Sequence, residues 1–152
     1  AREISRISRN LDDLQSSLSA VKRLMEFQPG EPSLEFEFAY LSLMLDTREP
    51  KAAELAERLF SEDSKNPERR MLAALAQHRQ RNFSAALELM ESGGSGWTNA
   101  SPRCQVVYAS VLGANNQRAA AREAARRLAA AKLKPQEREL IRPWLPEPGD
   151  SR

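Results

Sequence analysis

Four prolines constrain this chain more than any other feature. Pro32, Pro67, Pro102 and Pro135 stand 35, 35 and 33 residues apart, and a helical-looking segment follows each. Proline suits the first position of a helix, because its missing N–H would be unpaired there and its φ is already helical. Asn66 and Ser101 directly precede two of them and can accept a bond from an orphan N–H of the first turn.

A second spacing runs beside the first. Ala52, Ala86 and Ala120 lie 34 residues apart, early in the segments PKAAELAERLF, SAALELM and RAAAREAARRLAA. Twelve residues before each come Tyr40, Ala74 and Tyr108, inside EFEFAYLSLML, RRMLAALAQHR and CQVVYASVLG. Short polar turns (DTREP, QRN, ANNQ) separate the two segments of each unit. Pairing Ala109 with Ala121 instead, a shift of one residue, suits the third unit equally well. The unit is helix, turn, helix, and a fixed period of this size marks a stacked helical array. Composition agrees: the chain is rich in good helix formers, poor in β-branched residues, 29% charged and only 6% aromatic. The fold class read here is all-α.

With these residues in view, the chain resembles the tetratricopeptide repeat (TPR) family, whose pattern runs W-x2-L-G-x2-Y, then A-x3-F, then P. The middle unit gives Arg70-x2-Ala73-Ala74-x2-Gln77 and Ala86-x3-Met90, and RNFSAALELM is its best match. The first gives Phe36-x2-Ala39-Tyr40-x2-Leu43 and Ala52-x3-Ala56; the third gives Cys104-x2-Val107-Tyr108-x2-Val111 and Ala120-x3-Ala124. Tyr40 and Tyr108 stand where the family has a small residue, and the prolines open first helices instead of closing second ones. The resemblance implies a right-handed superhelix of antiparallel helix-turn-helix repeats, a TPR-like α-solenoid. It divides the chain into an N-terminal helix (1–30), three hairpins (31–66, 67–101, 102–134), a C-terminal capping helix (135–146) and a disordered tail (147–152).

The ends carry their own signals. Ile4, Ile7, Leu11, Leu14, Leu18, Val21 and Met25 alternate spacings of three and four, an a/d seam of roughly three heptads. This seam either caps the first unit, with Leu24 and Phe27 joining it, or pairs two chains through residues 4–25. In KPQERELIRPWL, Pro135 starts a short helix, Leu140, Ile141 and Leu145 can face inward, and Trp144 is expected against the third unit. In NFSAALELMESGGSGW, Asn82 is expected to cap a helix that the glycines end about two turns before its counterparts, with Trp97 folding back over the space left. No strand precedes these glycines and no Lys-Ser/Thr follows, so a phosphate cradle is excluded.

Catalytic chemistry finds no foothold. His78 is the only histidine and Cys104 the only cysteine, and no third group accompanies them to form a nucleophilic site or a metal site. Cys104 reads as core and His78 as surface lining. Carboxylates fall at surface helix spacings such as Glu54 to Arg58. No catalytic, cofactor-binding or metal-binding residue is assigned, and the chain is read as not an enzyme. Charge is uneven: residues 31–66 carry nine acids and four bases, whereas residues 103–134 carry seven bases and one acid. Arg118, Arg122, Arg126 and Arg127 crowd one helix, but aromatic interleaving for stacked bases is missing. A solvated outer face is read there rather than a nucleic-acid surface, and the gradient allows head-to-tail association.

The resemblance places the binding face on the first helices. They line a concave groove, which here would carry Glu37, Leu41 and Met44, then Met71, Leu75, His78 and Arg79, then Val106 and Ser110. Met71 and Leu75 stand where chaperone-tail binders use polar and basic groups, so a peptide with apolar anchors is expected. The reading is a non-catalytic protein-protein interaction module for a peptide or protein partner. The alternatives are a structural domain self-associating through the N-terminal helix and an accessory region of a larger multidomain protein. No apolar stretch approaches the length of a membrane span. The chain reads as soluble, with the cytoplasm favoured and a periplasmic or anchored placement left open. Its start without Met suggests an excised fragment.

Overall fold

The computed structural model describes residues 13–92, 97, 100–128 and 131–145. Among them every regular element is helical, as composition and spacing predict. In order these are α1 (Asp13–Phe27), α2 (Pro32–Met44), α3 (Pro50–Glu62), α4 (Pro67–Arg79), α5 (Phe83–Glu91), α6 (Pro102–Ala114), α7 (Arg118–Arg127) and α8 (Pro135–Ile141), with a 3₁₀ turn over Arg142–Trp144. No described helix is long and apolar enough to cross a membrane. Residues 1–12, with Ile4, Ile7 and Leu11, lie outside the described residues, as do the glycines after Ser92 and the tail.

The helix starts follow local chemistry. All four spaced prolines, and Pro50 as well, are the first residue of a helix. Asn66 Oδ1 accepts from the backbone N–H of Glu68 (2.9 Å) and Arg69 (3.2 Å). Ser101 Oγ accepts more loosely from Cys104 N–H at 3.5 Å. Asn82 does not cap. Its backbone sits at φ −89°, ψ 67°, outside the extended region a capping residue needs, and its side chain donates to Gln77 Oε1 instead.

The turns inside the pairs share one geometry. Asp46, Arg81 and Asn116 are left-handed (φ 54°, 67°, 64°) and lie 35 residues apart. After each, a backbone N–H reaches back five residues: Thr47 to Ser42 O (3.1 Å), Asn82 to Gln77 O (2.9 Å) and Gln117 to Leu112 O (3.0 Å). This is the Schellman closure, which satisfies the last carbonyls of a helix. The first turn is longer, with a second left-handed residue at Arg48 (φ 61°).

These turns settle the register. Ala39, Ala74 and Ala109 are fully buried and 35 residues apart, so they, and not Tyr40, Ala74 and Tyr108, occupy matching places. Ala121 is buried with Ala52 and Ala86, while Ala120 is exposed. Small side chains let the paired helices approach closely. Each helix from α1 to α6 packs on the next, α2, α4 and α6 also pack side by side, and α8 packs on α6. One apolar cluster runs from Leu14 and Leu18 of α1 to Val111 of α6. A second gathers Val106, Ala109, Ala125, Leu128 and Ile141 around α6, α7 and α8.

Two details, the helix lengths and the exposed end of α1, differ from expectation, and the two tryptophans agree with it. α5 has nine residues, but α7 has only ten against thirteen in α3, so the middle pair is not alone in being short. Trp97 does fold back: it is buried, donates from Nε1 to Met90 O at 2.6 Å and stacks on Tyr108. In α1 the seam residues Leu14 and Leu18 are buried and Val21 and Met25 pack beside them, yet Leu24 and Phe27 stay exposed and do not join the cap. Phe27 is the last residue of α1, and α2 begins only after Gly30 turns the chain at φ 83°. Trp144 lies over Gly113 of α6, its six-membered ring standing where a Cβ would be.

Candidate functional site: the inner face of α2, α4 and α6

Side-by-side packing turns one face of α2, α4 and α6 toward a common side, where the binding residues were expected to be exposed. Six of the nine are not. Leu41, Met44, Met71, Leu75, Val106 and Ser110 are all buried, none more than 2% exposed. For Val106 and Leu41 the reason is that other parts of the chain lie on that face. Val106 packs in one cluster with Ile141 of α8. Leu41, together with Leu14 and Val21 of α1 and Glu137 of α8, lines a cavity of about 420 Å³. Helix α8 therefore does more than cap the third pair; it reaches back to the first.

The remaining three keep partial exposure and have partners. Glu37 takes a bidentate ion pair from Arg103, the second residue of α6, at 2.7 and 3.1 Å. The planar guanidinium matches the carboxylate fork, and such charge-assisted pairs fix orientation as well as adding energy. Arg79 donates from Nε to Leu43 O (2.7 Å) and from Nη2 to Met44 O (2.8 Å). A cation there complements the C-terminal end of the α2 dipole. His78 Nε2 lies 3.0 Å from Ser110 Oγ, and its ring meets Phe83 edge-on. Burial, then the charge of Arg79, lowers the His78 pKa to about 4, so the ring is neutral at pH 7. Its Nδ1 is buried without a partner. We assign the tautomer with the proton on Nε2, donating to Ser110, because an unpaired ring nitrogen costs less as a lone pair than as an N–H.

A polar cluster that spacing did not reveal joins the two ends of the face. The Tyr40 hydroxyl donates to Glu137 Oε2 at 2.5 Å, across 97 residues of sequence. Glu137 Oε1 accepts from the backbone N–H of Lys134 at 2.8 Å. The Arg103 guanidinium lies 4.3 Å over the Tyr40 ring, so it touches both Glu37 and the phenol that holds Glu137. Burial first, and then the Glu137 charge, drives the Tyr40 pKa far above the usual phenol range. The phenol is thus a permanent donor. Glu137 carried one faint signal, as an acid in the first turn of a proline-led helix. Arg103 and Tyr40 carried none, because their role depends on a contact no local pattern encodes.

The other groups considered for chemistry are closed off. Cys104 is buried, and loss of hydration pushes its thiol up to about 12 despite the Ser101 hydrogen bond, so no thiolate is available near neutrality. Among the described residues no group of three or more His, Cys, Asp or Glu is placed to hold a metal ion. Arg118, Arg122, Arg126 and Arg127 are all exposed on α7, the last two facing Glu123. A cavity of about 540 Å³ beside the long first turn has a rim of both signs, with Asp46 and Glu49 against Arg48 and Arg81. No protein-family model, curated protein or solved structure matches this chain.

Proposed function

We propose that the chain is a non-catalytic protein-interaction module, a short TPR-like α-solenoid whose three helix pairs present α2, α4 and α6 as a concave face for a peptide or protein partner. Support for the repeat comes from the three turns that close alike at intervals of 35 residues and from Ala39, Ala74 and Ala109 buried at the same interval. The observation that carries the function is α8 itself: a helix is seated across that face, held by apolar contacts and one buried carboxylate. A surface that holds one helix has the shape and chemistry to hold another. Leu41 and Leu75 are core residues, so charging them would test folding instead of binding. A better experiment selects peptides from a random display library on the intact chain and maps them by amide shift perturbation. Perturbations centred on α2, α4, α6 and α8 are expected; changes confined to α3, α5 and α7 would sink the assignment.

Self-association through α1 is the second reading, favoured by Phe27 at 82% and Leu24 at 46% exposure. Leu14 and Leu18 are already spent on the chain's own core, so this interface would draw on Leu24, Phe27 and the segment before residue 13. A single monomeric species in sedimentation up to high micromolar concentration removes it.

A further inference from the structure

The seat of α8 is specific, yet α8 covers only part of it. At its N-terminal side lies the cavity of about 420 Å³ bordered by α1. Toward its C-terminal end lies another of about 320 Å³, lined by Met44, Asp46, Arg79, Gln136, Leu140 and Pro143. Both clefts open to solvent, so part of the surface around α8 is left uncovered. Gln136 Oε1 is buried with no partner, a cost of this fit. The helix has only seven residues, far below the length at which a helix holds itself together, and Arg138 and Glu139 face solvent. What the seat does recognise is sharply defined. Tyr40 needs a buried acceptor, Arg103 adds positive charge beside it, and three and four residues after Glu137 come Leu140 and Ile141, packed against α6.

We propose that α8 is an internal stand-in for the partner, and that the face takes in its place a longer amphipathic helix carrying one carboxylate followed three and four residues later by bulky aliphatic side chains. The inference rests on the inner face being the binding surface and adds the class of ligand it accepts. Tyr40 and Arg103 read the carboxylate; Val106 and its neighbours take the aliphatic pair. Tethered through residues 128–134, α8 competes at an effective concentration in the ~millimolar range, which hides the seat from a micromolar ligand until α8 is released.

The probe is a fluorescently labelled peptide of residues 134–145, titrated by anisotropy into the full chain and into the variant Glu137→Ala/Leu140→Ala, which loosens α8. The loosened chain should bind it at least tenfold more tightly than wild type. A peptide with alanine in place of its glutamate should bind the loosened chain at least tenfold less tightly, and adding Tyr40→Phe should abolish that difference. A loosened chain that keeps its cooperative melt yet binds neither peptide, or binds both alike, overturns the proposal. So does a dimer of the variant that the peptide cannot dissolve, which would give the seat to α8 of a second copy. If the variant does not fold, hydrogen exchange of the wild-type chain decides. Amides of Arg138, Leu140 and Ile141 exchanging at least 100-fold faster than those at the centres of α2 and α4 support release, and equal protection overturns it. Selected peptides that bind the inner face without any carboxylate would leave the interaction-module reading standing and remove this one.

Discussion

His78 is the only imidazole in the chain, so its titration can be read without ambiguity. Its ring proton should titrate by NMR with a midpoint of about 4. An unfolded chain would take up that proton near 6.5. The contribution of the neutral ring to stability is therefore complete above about pH 6.5 and is lost as pH falls toward 4. The urea midpoint should drop over that interval, and less so in His78→Gln. Tyr40 has the opposite sense. Its hydroxyl stays protonated in the fold while the unfolded phenol ionises near pH 10. At pH 7, Tyr40→Phe should cost about 1–3 kcal/mol, because the buried Glu137 loses a donor. Above pH 10 the wild-type protein should lose stability about 1.4 kcal/mol per pH unit faster than the variant, and the gap between them should close. Arg81 holds a left-handed conformation with a side chain that gains nothing from it. Arg81→Gly should raise stability by about 0.5–1 kcal/mol in urea titrations, the relief of strain exceeding the added chain entropy.

At the scale of the element, the proline-led starts of helices and the early end of α5 were legible, whereas the start of α5 at Asn82 and the ends of α2, α4 and α6 were not. Proline and its capping residue act within four positions, so Pro67 and Pro102 announced α4 and α6 from sequence alone. Asn66→Ala should accordingly cost about 1 kcal/mol in chemical denaturation, since two first-turn N–H groups lose their acceptor. The helix ends are closed by Asp46, Arg81 and Asn116 where glycine would be the usual sign, and the turns could be read only as polar. That is also why the one-residue shift in the third pair stayed open until Ala109 and Ala121 were seen buried. The nine residues of the candidate face do lie on α2, α4 and α6; Leu41, Met71 and Leu75 share one apolar cluster with Leu14 and Leu18 of α1, and Val106 shares another with Ile141 of α8. Their burial was illegible. For Leu41 and Val106 it follows from α8 lying on α6 and crossing to α2, a contact between residues 40 and 137 that no periodicity contains.

At the scale of the molecule, two contacts alter what kind of object this is. In an open stack each pair touches only its neighbours, stability is a sum of local terms, and the ends fray first. Here Arg103 joins the third pair to the first through Glu37, and Glu137 closes the last helix onto Tyr40. Global unfolding should then be a single transition, with the release of α8 a local opening that precedes it without exposing the rest of the core. Far-UV circular dichroism and tryptophan fluorescence should give coincident denaturation curves, although Trp97 and Trp144 report on different pairs. Cys104, in the body of that structure, should react with a disulfide reagent only as fast as the whole chain opens. A clasp of this kind also counts. An α8 of seven residues can lie on α6 and still touch α2 only when a single inner helix, α4, stands between them. Duplicating the middle 35 residues, harmless to an open stack, would pull Tyr40 beyond the reach of Glu137. The number of pairs is thus set by the length of the helix that fastens them.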